Sequence, residues 1–140
     1  MTFALALFAI LSSSTCHGAS AEEPSRLTLT FEPAAESGAI MVSLFDSEAG
    51  YAGGPPVRQA RVDVATGERS TVFADLKKGH YAIKAFHDVN GDGKLNVNPF
   101  GVPVEPVAFS NNARANMAAP GWASTRIAVA GAVVQTLDIR

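Results

Sequence analysis

The chain has 140 residues, 47% of them hydrophobic, with 11 basic and 13 acidic side chains and a formal net charge of −2. At that length one domain with a core of ordinary size is expected, and a second is not. Lys and Arg are scattered rather than gathered in a stripe, which excludes the electrostatic footprint of a nucleic-acid-binding protein.

No Asp, Glu, Lys or Arg precedes Glu22. Phe3 to Leu11 is apolar but too short to span a bilayer, and the chain then turns small and polar from Ser12 to Thr15. This is the length of a secretory h-region, and Ala19-Ser20-Ala21 supplies the small-x-small pattern that signal peptidase accepts. The expectation is therefore a signal peptide over 1–21 and one mature, periplasmic or secreted domain over 22–140. The basic residue that usually opens such a signal is missing from Met1-Thr2-Phe3. Cys16, the only cysteine, lies in this segment, so the mature domain is expected to hold together without a disulfide. A lipidated Cys16 would require Leu three positions earlier and a small residue just before, where Ser13 and Thr15 stand.

From Arg26 onward the hydrophobic period is two. Leu27-Thr28-Leu29-Thr30-Phe31-Glu32 alternates strictly, as a strand does with one face on a core. After a break at Pro33 to Gly38, Ala39 to Phe45 is apolar on both faces, as a central strand would be. Ala60, Val62 and Val64 alternate again with Arg61 and Asp63, and Thr66-Gly67-Glu68 reads as a hairpin turn. Ser70 to Leu76 and His80 to His87 read as two strands joined across Lys77-Lys78-Gly79. Thr125 to Val129 and Val133 to Ile139 are expected to pair across Ala130-Gly131-Ala132. About seven strands without sustained helical periodicity predict an all-β fold, an antiparallel two-sheet sandwich of the immunoglobulin-like or prealbumin (transthyretin)-like kind.

Two connections are too long for simple turns. Asp46 to Arg58 carries Gly53-Gly54-Pro55-Pro56, which cannot continue a ladder. Asp88 to Ala123 holds Phe100, Val102, Val107, Phe109 and Trp122, too apolar for disorder, and is expected to fold over one end or edge of the sandwich.

The second connection opens with H-D-V-N-G-D-G-K-L-N. Ca²⁺ takes six to eight oxygen ligands, and acidic or amide residues at loop positions 1, 3 and 5 aim theirs at one centre. Asp88, Asn90 and Asp92 occupy those positions, Gly93 at position 6 permits the sharp turn, the Lys94 carbonyl fits position 7 and Asn96 fits position 9. Pro99 stands at position 12, where an EF-hand has a bidentate Glu, and no helices flank the loop. Glu105 is the nearest downstream acid and completes the shell if the chain folds back. So few charges predict weak binding, in the range of about 10⁻⁴ to 10⁻³ M found in extracellular modules. The competing reading makes Asn90-Gly91 and Asp92-Gly93 plain turn formers.

Other combinations carry less. His87, Asp88 and Ser110 supply the letters of a hydrolase, but no G-x-S-x-G elbow surrounds Ser110, and the chain reads as non-catalytic. His80 and His87, seven apart on a strand, point to opposite faces and cannot share a zinc ion. Tyr51, Phe100, Phe109 and Trp122 fall in loops, where aromatic rings either stack on a ligand or pin the loop to the core. Ser110-Asn111-Asn112, with Arg114 and Asn116, is a dense polar run that reads as a binding rim or as loop-internal capping. Phe109, Ser110, Asn111, Asn112 and Trp122 are thus the candidate contacts for a protein or carbohydrate ligand of a monomer. A small-ligand carrier with a cavity between the sheets is the alternative.

The strings L-K-K-G-H-Y-A-I-K-A-F-H-D, N-G-D-G-K-L-N, F-G-V-P-V-E and A-F-S-N-N-A-R, between Leu76 and Arg114, resemble the exported bacterial proteins called domain of unknown function 2141 (DUF2141). V-S-L-F-D-S-E-A-G-Y fits the same family's second strand. The resemblance covers nearly the whole expected mature chain and implies an exported β-sandwich, without supplying an activity. The family commonly has Asp where Asn96 stands, so this chain has one charge fewer for a metal. The loop also resembles the D-x-N-x-D/N-G calcium loops of bacterial surface repeats, an analogy that implies a spacer or binding module.

Overall fold

The computed structural model describes Gly18 and residues 21–140. The expected signal segment, with Cys16, lies almost entirely outside the described residues. Among the described residues, eight strands form two sheets: β1 (Ser25–Glu32), β2 (Ala39–Phe45), β3 (Arg58–Asp63), β4 (Ser70–Leu76), β5 (Gly79–Asp88), β6 (Val107–Phe109), β7 (Ile127–Val129) and β8 (Ala132–Asp138). The smaller sheet has the order β4-β1-β8, and the larger β3-β2-β5-β6 with β7 also on β5. The two-sheet sandwich is as the alternating pattern predicts. One pair departs from an all-antiparallel scheme: β1 and β8 run parallel, from Arg26 beside Ala132 to Glu32 beside Asp138.

The alternation sets which side chains enter the core. Leu27, Leu29 and Phe31 of β1 are buried while Arg26 and Glu32 face solvent. Ile40, Val42 and Leu44 of β2 and Ile83 and Ala85 of β5 enter from the other sheet, and with Leu137 and Ile139 they form one continuous cluster. Each large side chain buried there contributes about 1.5 to 3 kcal/mol. A smaller apolar cluster lies outside the larger sheet, where Phe45, Tyr51 and Ala82 pack with Trp122.

Three expected hairpins are absent, because their strands belong to opposite sheets. β3 pairs with β2 whereas β4 pairs with β1; β5 pairs with β2; and β7 pairs with β5 whereas β8 pairs with β1. A short connection spans the roughly 10 Å between sheets as readily as it closes a hairpin. The last one is held open by β1 itself: Gly131 donates to the Ser25 hydroxyl at 3.1 Å and accepts from Arg26 at 2.8 Å. Crossing here lets Val129 and Leu137 reach the same core from two sides.

The long connections are partly ordered into elements that periodicity does not announce. α1 (Glu48–Gly53) is a short helix with Ser47 at its N-cap, whose hydroxyl accepts from Gly50 at 3.2 Å. The second connection contains β6, a 3₁₀ turn over Ser110–Asn112, and α2 (Trp122–Thr125).

Candidate functional site

β5 delivers Asp88, only 4% exposed, to the start of the loop. Gly38, at φ +75°, brings the β1–β2 turn so close that an added Cβ would lie 2.1 Å from the Asp88 carbonyl oxygen. The Asp88 carboxylate then organises the turn that follows. Its Oδ1 accepts from Gly91 at 2.8 Å and Asp92 at 3.2 Å, and its Oδ2 from Gly93 at 2.8 Å. Gly91 and Gly93 lie at φ +77° and +74°, the left-handed region that their missing side chains permit. Asn90 Oδ1 accepts from Asp92 at 3.1 Å, and Asp92 Oδ1 from Lys94 at 2.9 Å.

Asn96 closes the loop. Its Nδ2 donates to Asp92 Oδ2 at 2.9 Å while its Oδ1 accepts from Asn90 Nδ2 at 2.8 Å. The hydrogen bond from the Asn96 side chain, and next that from the Lys94 backbone, hold the Asp92 carboxyl below its ordinary value. Beyond Asn96 the chain folds back through a bridge between Val97 and Pro103. That return brings Glu105 home: its Oε2 accepts from the Asn96 amide at 3.0 Å, and its Oε1 is buried without a partner. Asp88, Asn90, Asp92, Asn96 and Glu105 are thus linked in one network, which Lys94 joins through its backbone. Among the described residues, no group of three or more His, Cys, Asp or Glu side chains is placed to hold a metal ion. Amide hydrogens of Asn90 and Asn96 link the side chains where a cation would require their oxygens.

The other expected residues are brought together differently. Ser110 is fully buried; its hydroxyl accepts from the Ile83 amide at 2.9 Å and donates to the Thr125 carbonyl. His87, also fully buried, donates through Nε2 to the Ser37 carbonyl at 2.6 Å, and its Nδ1 has no partner. Ile83 and His87 are four residues apart along β5, roughly 13 Å at the rise of a strand, so Ser110 and His87 do not meet. Asn111, at φ 60°, donates from Nδ2 to the carbonyls of Ser124 at 3.2 Å and Arg126 at 3.1 Å. Asn112, at φ 50°, donates to the Thr136 carbonyl at 3.0 Å and accepts from the Asp138 amide at 3.0 Å, like one residue of an extra strand beside β8. The side chains of Ser110, Asn111 and Asn112 are thus engaged by the fold itself, Asn111 also pairing with the Gln135 side chain at 2.9 Å.

Phe109 is buried on β6, and Trp122 is half-buried against Tyr51 with ring centroids 6.0 Å apart. Phe100 alone of the four loop aromatics projects into solvent, 90% exposed at the tip of the returning chain. Between the sheets the space is occupied by the core cluster, and three grooves of about 300 to 340 Å³ lie outside it.

Sequence reasoning passed over Lys84. Its ammonium lies 4.2 Å from the Tyr51 ring centroid and 5.3 Å from that of Phe45, and donates to the Tyr51 carbonyl at 2.6 Å. Burial lowers its pKa from the ordinary lysine value. A lysine in the otherwise apolar run Tyr81 to Phe86 was the available signal.

A family model described as "Uncharacterized protein conserved in bacteria (DUF2141)" matches residues 32–136. No curated protein and no solved structure matches the chain.

Proposed function

The chain belongs to the DUF2141 family, and from that membership and the loop geometry we propose an exported, non-catalytic binding or accessory module whose Asp88–Asn96 loop is stiffened by weakly held calcium. The observation that carries the metal reading is the orphaned, buried Glu105 Oε1 beside a loop already linking Asp88, Asn90, Asp92 and Asn96. Turning the Asn96 amide would exchange the donor that faces Asp92 for a carbonyl oxygen, while Asn90 already presents its Oδ1 to the loop at the Asp92 amide. Asp88 Oδ1 is taken up by two backbone amides, while Oδ2 accepts one and keeps lone-pair capacity for a cation. Export rests on the apolar run Phe3 to Leu11 and the Ala19-Ser20-Ala21 motif.

Thermal melting in calcium, in magnesium and with a chelator tests the metal. At ten times the dissociation constant, calcium adds about 1.4 kcal/mol to the native state, a rise in melting temperature on the order of 5 °C. Asp92→Ala should abolish the rise. An identical melting temperature in all three solutions overturns the calcium reading. N-terminal sequencing of protein recovered from an exporting cell should begin at Glu22; an intact Met1 overturns the export reading.

A further inference from the structure

One of the outer grooves, about 340 Å³, lies between the exposed face of the larger sheet and the returning loop. Phe45, Lys84 and Phe86 contribute from the strands, Leu95 and Pro103 from the loop, and Ala119 from the segment before α2. Lys84 is the one charged residue that lines it. Three features distinguish this lysine from a solvated surface cation. It is half-buried, it lies over two aromatic rings, and among the described residues no carboxylate comes within ion-pair distance of it. The Tyr51 carbonyl takes one of its three donors.

An apolar trough lined by one lysine, whose ammonium lies 5.3 Å from the ring centroid of Phe45 on the same wall, is complementary to an amphipathic anion. A single ammonium without an arginine fork suits one carboxylate better than a phosphate, which calls for bidentate or multiple cationic contacts. The volume lies at the small end of ligand sites, roughly 300 to 1,000 Å³.

We propose that this groove binds a small amphipathic carboxylate of the fatty-acid class, its chain along Phe45, Phe86, Leu95 and Pro103 and its head group on Lys84. This rests on the reading of the protein as a binding module; the groove takes one wall, Leu95, from the Asp88–Asn96 loop but none of the proposed calcium ligands. The lowered pKa of Lys84 agrees with it, since a carboxylate would restore the cation's lost solvation.

Calorimetric titration of the protein with decanoate below its micelle concentration, and in parallel with decanol, tests the groove in the presence of chelator. Decanoate should bind with a dissociation constant below about 1 mM, and decanol about tenfold more weakly. Lys84→Met should bind both alike. Ala119→Phe, a change at an exposed position, should block both by filling the groove. Absence of decanoate binding, equal binding of the two probes to the unaltered protein, or binding undiminished by Ala119→Phe overturns the proposal. A calcium-dependent melt without decanoate binding removes the groove and keeps the loop; the reverse result removes the loop and keeps the groove.

Discussion

Ser110 sits where β5, β6 and α2 meet, and its one hydroxyl satisfies a buried amide on one side and a carbonyl on the other. Ser110→Ala leaves both groups unpaired and should cost about 2 kcal/mol in urea unfolding, without altering any calcium response. Lys84 permits a prediction with a definite sign. Because the folded chain lowers its pKa from 10.5, the unfolded chain binds more protons between the lowered value and 10.5. Stability contributed by this group therefore rises with pH across that interval and is lost below it; NMR titration of the lysine side chains should single out Lys84 as an early titrator. Residue by residue, the letters D-x-N-x-D-G were enough to anticipate a tight Asx-rich loop, since each short side chain bonds its own backbone nearby. The partners of Asn111 and Asn112 were not legible, because they lie 13 to 26 residues away, at Ser124, at Arg126 and on β8.

At the scale of elements, the strands were readable because burial of one face imposes a period of two on the residues themselves. Ala39–Phe45 and Ser70–Leu76 begin and end where the pattern does. Strand partnership was not readable, because alternation tells a side chain to face the core and is silent about which sheet carries it there. Turn chemistry is equally ambiguous, since the same Gly-containing links serve hairpins and crossings. α1 and β6 were hidden by their length, six and three residues, too short to establish a period. Two glycines separate conformational strain from contact. Gly67→Ala, at φ +94° with open space around the added Cβ, should cost about 1 kcal/mol. Gly38→Ala combines positive φ with backbone 2.1 Å from the new Cβ. It should cost visibly more in the same melting experiment and shift the resonances of Gly91 and Gly93 through Asp88.

For the whole molecule, β1 is the common partner of the smaller sheet, hydrogen-bonded to β4 on one side and β8 on the other. Its amides should exchange with deuterium only through global unfolding, while those of the returning loop between Asn96 and Val104 exchange through local opening. Equal protection of the two would show that the loop unfolds with the core. The parallel pair also fixes an order of events during synthesis. Arg26 lies beside Ala132, so β1 waits for almost the entire remainder of the chain before its second neighbour exists. Pairing across such a separation is slow to nucleate. Until the last strand is synthesised, Leu27, Leu29 and Phe31 have only half their sheet, and their apolar side chains stay open to capture by a chaperone or by another unfinished chain.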